Sequence, residues 1–337
     1  MSPVLSESTS SEPPELSVVV PVFNESENLE PLVKRLTPVL ERSVASYEIV
    51  FIDDGSSDDT LATLRLLHGR DPRYRAVSFS RNFGKEIAIA AGLDHARGRA
   101  VVIMDADLQH PPEMIERFVE LWREGFKNVY GTRVDRTKDS ALRRMLTRRF
   151  YQIFENFGET GLPEGAGDYR LLDRQAVNAL KSMPERARFS KGLFAWIGFK
   201  SIGVPFDVED RHSGTSKFSY RKLTRFALDG LMSFSTLPLK VWTYVGTLVS
   251  MFALVTAIYF IVQTVTIGAD VPGYASLIVS IMFFAGIQLM SLGIIGEYIG
   301  RIFAEVKRRP LYLVAENLGD PQASPGEPGH PQFDRRI

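Results

Sequence analysis

Short apolar runs alternate with segments of helical periodicity over the first 133 residues. The apolar runs cover residues 16–22, 48–52, 76–79, 100–104 and 129–131, and each is apolar at nearly every position rather than at every second one. Runs of this length and composition predict strands. Because continuous apolar strands separated by helices are typical of a parallel sheet covered on both faces, the sequence predicts an α/β fold with a mainly parallel sheet.

Polar clusters follow four of these predicted strands directly, at residues 21–25, 53–56, 80–85 and 105–109. The carboxyl ends of parallel strands meet at one edge of a sheet, and ligands of open α/β sheets bind there. The sequence therefore predicts one binding site to which all four clusters contribute.

The last of these clusters contains Asp105 and Asp107, which follow a strand directly. Side chains at i and i+2 of a strand point to the same face, so both carboxylates are expected to lie together. Hard oxygen donors of this kind suit Mg²⁺ or Mn²⁺. The alternative is an acidic turn that leads into the helix announced by Pro111 and Pro112.

Two uncharged stretches, residues 241–269 and 271–296, dominate the last third of the chain. Each exceeds the roughly 20 apolar residues that span a bilayer core, although buried core helices would give a similar pattern. Lys and Arg flank the outer ends of the pair, and the connection between them has none. By the positive-inside rule, the sequence predicts a multi-pass protein of the inner (cytoplasmic) membrane with both termini in the cytoplasm.

The pattern divides the chain into five parts. We expect a disordered lead-in (1–15), a cytoplasmic globular domain (16–217), an interfacial amphipathic helix (218–237), a two-helix transmembrane hairpin (238–300) and a basic cytoplasmic tail that is largely disordered (301–337). The chain has no cysteine, which excludes disulfides and thiol catalysis, and its 40 basic residues equal its 40 acidic ones, which gives no indication of nucleic-acid binding.

Four motifs in this order and spacing resemble the family 2 glycosyltransferases with the GT-A fold, a Rossmann-like architecture. They are VVVPVFNE (18–25), DDGS (53–56), RNFGK (81–85) and DADLQH (105–110). Within that family the chain looks closest to the polyprenyl-phosphate glycosyltransferases, over about residues 16–235. The Gln-x-x-Arg-Trp arrangement of processive synthases is absent from the sequence, which favours transfer of a single sugar.

The resemblance implies a role for each group of candidate residues. The nucleotide pocket would contain Pro21, Phe23, Glu25 and Asp53. The metal ligands would be Asp105, Asp107 and Gln109, and the acceptor phosphate would meet Arg133, Arg144 and Arg148. A loop with Arg211, Ser216 and Lys217 would close over the donor diphosphate, and Lys85 would also bind substrate. Asp107 and Asp168 are the candidate catalytic residues. For Asp168, a role as base and a role in orienting arginines both stay open.

The resemblance also implies the reaction, which is inverting transfer of one sugar to polyprenyl (undecaprenyl) phosphate at the cytoplasmic face of the membrane. The expected donor is UDP-glucose, the expected cofactor Mg²⁺ or Mn²⁺, and the expected assembly a homo-oligomer, a tetramer by resemblance, in contact with membrane lipids. The alternative is an enzyme of the same fold that uses another donor (GDP-mannose or another UDP-sugar) or another lipid acceptor. The remaining alternative is a non-enzymatic membrane scaffold.

Overall fold

The computed structural model describes residues 12–133, 166–183, 185, 190–207, 237–267 and 273–319. Its elements in chain order are β1 (Leu16–Val22), α1 (Ser26–Ser43), β2 (Tyr47–Asp53), α2 (Thr60–Arg70), β3 (Tyr74–Phe79), α3 (Lys85–His95), β4 (Ala100–Ile103), α4 (Met114–Arg123), β5 (Asn128–Arg133), β6 (Ala166–Asp173), α5 (Arg174–Lys181), α6 (Ser190–Trp196), β7 (Ser201–Phe206), α7 (Leu237–Ile267), α8 (Tyr274–Val306) and β8 (Val314–Leu318).

The strands form one sheet in the order β7-β5-β6-β4-β1-β2-β3-β8. Strands β4, β1, β2 and β3 are parallel neighbours, and β5 is parallel to β7. Strand β6 is antiparallel to both of its neighbours, and β8 is antiparallel to β3. The predicted α/β fold with a mainly parallel sheet is thus confirmed for the described part of the chain.

Two apolar layers cover the two faces of the sheet. On one face, Val18 and Val20 of β1 pack with Leu32 and Leu36 of α1. On the other face, Val19 belongs to a cluster with α3 and α5. Because both faces are covered, β1 to β4 are buried along nearly their whole length, which explains their continuous apolar sequences.

Gly92 allows the closest of these contacts. A Cβ at this position of α3 would overlap the side chain of Val19. The absence of a side chain therefore lets α3 lie directly on β1, and this places the first turn of α3 next to the ends of the strands.

The C-terminal region differs from the prediction. The sequence predicts a basic tail from residue 301 that is largely disordered, but α8 continues to Val306 and residues 314–318 form β8 at the edge of the sheet. The physical reason is that β3 would otherwise present an unpaired edge, and backbone hydrogen bonding to that edge needs no apolar pattern in the added strand. The globular domain therefore combines residues from both ends of the sequence.

Candidate active site

The loops after β1 and β2 are joined by hydrogen bonds. Asn24 has a positive φ of 55°, its backbone N–H donates to Ser56 Oγ at 2.9 Å, and its Oδ1 accepts from the N–H of Ser57 at 2.8 Å. The N–H of Glu25 donates to Thr60 Oγ1 at 3.0 Å. These contacts fix one wall of the carboxyl edge.

Asp53 is almost fully buried, and both of its oxygens already accept hydrogen bonds. Oδ1 accepts from the N–H of Ser56 at 3.0 Å, and Oδ2 accepts from Ser78 Oγ at 2.6 Å. The predicted contact between Asp53 and the base or ribose would have to use the remaining lone pairs of these oxygens. In the structure, Asp53 joins the loop after β2 to β3.

Asp54 joins the loop after β2 to the loop after β3. Its oxygens accept from the N–H groups of Phe83 at 2.6 Å and Gly84 at 2.9 Å. Burial raises the pKa of Asp54, and the two N–H donors oppose that shift. The loop that leads to Lys85 is therefore held by a carboxylate from the neighbouring strand.

Gly55 brings these two loops into contact. It has a φ of +67°, and a Cβ there would lie 2.5 Å from the backbone carbon of Arg81. Only glycine combines this backbone conformation with so close an approach.

The segment after β4 turns sharply. The N–H of Gln109 donates to Asp107 Oδ1 at 3.1 Å, and Leu108 between them has a φ of 58°. A large side chain with a positive φ is a strained conformation that costs about 1–3 kcal/mol and is found mainly at functional sites. Because β4 ends at Ile103, Asp105 and Asp107 lie in this turn and not on the strand itself, and the turn holds Asp107 near the edge of the sheet.

Asp105 and Asp168 face each other across the junction of β4 and β6. Ile103 pairs with Arg170 in this antiparallel ladder, so the positions two residues further along, 105 and 168, lie opposite each other. Lys85 joins them: its Nζ lies 2.6 Å from Asp105 Oδ1 and 3.0 Å from Asp168 Oδ2. Three residues that are distant in sequence thus form one ion-pair cluster at the centre of the edge.

The charges of this cluster shift its protonation equilibria. Burial raises the pKa of Asp168, but Lys85, Lys191 and Arg170 lower it by more, so the pKa lies well below its usual range. Burial lowers the pKa of Lys85, and Asp105 and Asp168 more than compensate, so it lies above its usual range. Asp168 is therefore a carboxylate, and a weak base, at every physiological pH.

A second layer of charged residues lies behind Asp168 and was not predicted from the sequence. Arg170 is 2% exposed, donates to the carbonyl of Gly167 at 2.6 Å and lies 3.7 Å from the ring centre of Phe194. Burial lowers its pKa to about 10, against the effect of Asp168. The sequence could have indicated Arg170, because residues 168 and 170 are two positions apart in a strand and their side chains therefore lie on the same face.

Glu86 is another charged residue near Asp168 that was not predicted from the sequence. Its carboxylate accepts from the backbone N–H of Ser190 at 2.9 Å and from the hydroxyl of the same residue, which ties α3 to α6. Burial and the nearby Asp168 raise the pKa of Glu86, while the two bonds from Ser190 oppose that shift.

Several predicted site residues lie outside the described residues, as does nearly all of the predicted interfacial helix (218–237). The backbone of Arg133 closes β5, but its side chain is not among those described. The others are Arg144, Arg148, Arg211, Ser216 and Lys217. Their assignments stay predictions, while the structure brings Asp105, Asp107, Gln109, Lys85 and Asp168 to one edge of the sheet.

The donor atoms at this edge fit a divalent cation of the Mg²⁺ type. Asp105 and Asp107 supply carboxylate oxygens. The Lys85 ammonium group, which is paired with Asp105, shows that a positive charge is stabilised at this place. Within the described ranges, no group of three or more His, Asp or Glu side chains is arranged to hold a metal. Mg²⁺ usually takes only part of its coordination from the protein and the rest from substrate phosphates and water.

The two long C-terminal helices present apolar surface to their surroundings. Phe252 of α7 is 70% exposed and Leu289 of α8 is 69% exposed. Among the described residues, one stretch, Phe283–Val306, is long and apolar enough to cross a membrane, with a mean hydropathy of 1.3, while the apolar stretch Tyr244–Thr256 of α7 is shorter. A second crossing, which the sequence predicts, stays a prediction.

Comparisons with known proteins identify the family. Residues 17–181 match Glycosyl transferase family 2, and residues 237–302 match the GtrB C-terminal hairpin. An uncharacterized glycosyltransferase of Synechocystis sp. is 50% identical over 305 residues, which cover 90% of this chain and 96% of that protein. The prophage-derived bactoprenol glucosyl transferase of Shigella flexneri is 43% identical over 302 residues, covering 90% of this chain and 98% of that one.

Among solved structures, glucosyl-3-phosphoglycerate synthase from Mycobacterium tuberculosis, in complex with Mn²⁺, UDP and glucosyl-3-phosphoglycerate, is 18% identical. The match covers 65% of this chain and 79% of the synthase chain, with a TM-score of 0.48. A likeness this low carries no argument about the site. The chain belongs to glycosyl transferase family 2 and carries the C-terminal hairpin of the GtrB type. It is a glycosyltransferase.

Proposed function

We propose that this glycosyltransferase transfers one glucose from UDP-glucose to polyprenyl phosphate at the cytoplasmic face of the membrane. The observation that carries the proposal is the cluster of Lys85, Asp105 and Asp168 at the carboxyl edge of the sheet, in a chain that has exposed apolar helices. The identity to a bactoprenol glucosyl transferase over nearly the full length of both chains supports the choice of sugar and acceptor.

The chemistry of the acceptor explains why the site needs no strong base. A phosphate monoester has its second pKa near ~6 and is already ionised at neutral pH. Its oxygen attacks the anomeric carbon in line, the bond from that carbon to the diphosphate oxygen breaks, and UDP leaves with the bonding electron pair, so the configuration inverts. The lowered pKa of Asp168 supports the same conclusion, because a carboxylate this acidic is a poor proton acceptor.

In this proposal Asp168 positions Lys85 rather than removing a proton. Between them, Asp105 and Asp168 hold the Lys85 ammonium group at the edge where the diphosphate of the donor would lie. Asp105, Asp107 and Gln109 would hold Mg²⁺ or Mn²⁺, which supplies Lewis-acid stabilisation of the leaving diphosphate. If Asp105 held the cation, Asp168 would remain the partner of Lys85 and would keep its ammonium group at this edge.

The test is a donor and acceptor screen on purified full-length protein in detergent. Labelled UDP-glucose, other UDP-sugars and GDP-mannose are each offered with undecaprenyl phosphate, with diacylglycerol and with no acceptor. The expected result is labelled product from UDP-glucose and undecaprenyl phosphate, with the β-anomer seen by NMR. Product from diacylglycerol alone, or from GDP-mannose alone, would contradict the proposal, and an Asp105→Asn preparation measures the background.

The proposed membrane arrangement has two crossings with both ends in the cytoplasm. The chain has no cysteine, so single introduced cysteines are unique labelling sites. In intact cells, Asp270→Cys should react with a membrane-impermeant maleimide, whereas Arg309→Cys should react only after permeabilisation. Equal labelling of both positions in intact cells would exclude this topology. A homo-oligomer, expected as a tetramer, belongs to the same proposal and is measured by light scattering in detergent.

A further inference from the structure

The segment that follows α8 is part of the catalytic domain. Residues 311–318, here called the C-terminal strap, run along β3, with Ala76 paired to Leu318 and Phe79 to Val314. The backbone N–H of Ser80 donates to the carbonyl of Leu313 at 3.0 Å. Tyr312 is 1% exposed and belongs to the same apolar cluster as α3. The strap is therefore built into the core of the domain.

Tyr312 contacts both ends of the segment that carries Lys85. Its ring stacks on Phe79 with centroids 4.9 Å apart, and Phe79 in turn meets Phe83 edge-on at 5.7 Å. Its hydroxyl lies 3.3 Å from Asp94 Oδ2, near the last turn of α3. Tyr312 thus supports the end of α3 directly and the loop before Lys85 indirectly, through Phe79.

The strap is also close in sequence to the membrane hairpin. Helix α8 ends at Val306, and only residues 307–310 separate it from the strap. A fully extended chain reaches at most about 3.6 Å per residue. The short connection therefore limits the distance between the end of α8 and the edge of the catalytic domain.

We propose that the C-terminal strap is a positioning element of the transfer site, through which the end of the hairpin fixes Lys85. The path runs from Tyr312 through Phe79 and Phe83 to Lys85, and from there to Asp105 and Asp168. The activity that is measured rests on the proposed function, whereas the path of contacts from Tyr312 to Lys85 does not depend on it. It assigns Tyr312 a role in sugar transfer although it lies outside the site.

Edge protection is the simpler role for β8, since an added strand covers the unpaired edge of β3. It would make the strap a source of stability alone. The two roles differ in what Tyr312 does, because edge protection depends on backbone bonds while positioning depends on the aromatic stack. A deletion of the hairpin cannot separate them, since a chain that ends at Leu237 also loses the strap.

The experiment compares full-length Tyr312→Ala with a matched destabilising variant, Leu67→Ala, in lipid nanodiscs. Leu67 is also 1% exposed, but it lies on α2 and packs on the opposite face of the sheet. At temperatures where both are folded, Tyr312→Ala should lower kcat for transfer about tenfold to hundredfold, as expected when a group that positions the substrate is displaced by about 1 Å. Binding of UDP should stay within about twofold, because the nucleotide wall at Asn24 and Asp53 is untouched.

Tyr312→Phe keeps the stack on Phe79 and should restore kcat. The second readout, hydrogen exchange of the backbone N–H groups of residues 80–84, needs no substrate, so it tests the path even if the proposed reaction is wrong. Exchange there should rise in Tyr312→Ala and not in Leu67→Ala. If Tyr312→Ala does not fold, Tyr312→Leu replaces it. The proposal would be overturned if the Tyr312 variant showed unchanged kcat and unchanged hydrogen exchange. It would also be overturned if Leu67→Ala showed the same fall in kcat and the same rise in exchange.

Discussion

Two groups of carboxylates lie at the same edge of the sheet and are neutralised in different ways. Asp53 and Asp54 accept hydrogen bonds from backbone N–H groups and a buried hydroxyl. Asp105 and Asp168 share one lysine ammonium group instead. Backbone donors cannot move without distorting a loop, whereas a lysine side chain can change partner at little cost. The first group fixes the frame, and the second can exchange partners with substrate and cation.

The largest test of this comparison is Asp107→Asn. Asparagine keeps the oxygen that accepts from the N–H of Gln109, so the turn should survive while the negative charge is lost. We expect kcat for sugar transfer to fall about 10²–10³-fold, the usual effect of removing one group that stabilises transition-state charge. Thermal unfolding checks the fold, and Asp59→Asn, an exposed carboxylate on the same edge, is the matched control. Full turnover by Asp107→Asn would show that the Asp107 carboxylate is not needed for sugar transfer.

Asp54→Ala tests the group that fixes the frame. It leaves the half-buried N–H groups of Phe83 and Gly84 without their acceptor. Because water reaches half-buried donors in part, we expect the two together to cost about 1–3 kcal/mol, the penalty for one fully buried unsatisfied donor. We expect a loss of stability in this range together with lower transfer activity, because the loop before Lys85 is released. Chemical denaturation measures the first effect and steady-state kinetics the second. Wild-type stability would show that the loop is held by other contacts.

The pH dependence of stability should differ in sign between Asp168 and Glu86. The folded-state pKa of Asp168 is lowered, so its contribution is complete above its ordinary pKa of about 4 and is lost as the pH falls through the folded value. Asp168→Asn should therefore lower the thermal midpoint at pH 7, by a difference that shrinks as the pH falls below about 4. A difference that does not change with pH would argue against the ion pair.

The folded-state pKa of Glu86 is raised, so its contribution is complete below the ordinary value and is lost as the pH rises through the folded one. Glu86→Gln, which can still accept from Ser190, should therefore be at least as stable as the wild type at pH 7. The same thermal measurements give this result, and a clear loss of stability in Glu86→Gln at pH 7 would contradict it.

The smallest expected effect is that of Lys85→Met on cation binding. Lys85 competes with a cation for Asp105, and its side chain is 43% exposed, so water weakens the competition. Without nucleotide, the Mn²⁺ affinity of Lys85→Met, measured by electron paramagnetic resonance, should rise by up to about fivefold, as expected for an ion pair worth up to about 1 kcal/mol. Lys191→Met, which lowers the charge near Asp168 but leaves the Lys85–Asp105 contact, should change it less. Weaker binding in Lys85→Met would show that Lys85 supports the cation.

The sequence by itself determined the parallel core and its carboxyl edge. Strands β1 to β4 are buried on both faces, which forces a continuous apolar pattern, and the polar residues at their ends are visible where that pattern stops. The same rule predicted that Asp105 and Asp107 lie near this edge, and in the structure they lie in the turn after β4. These features are local, since each depends on a few consecutive residues.

Only the tertiary structure decided which of these residues meet. Asp105 and Asp168 face each other because β4 and β6 pair in one register, and register is not encoded in either strand alone. The strap joins β3 for the same reason, since backbone hydrogen bonds to an open edge leave little trace in the side chains of 314–318. Composition revealed the elements, and long-range pairing decided the site.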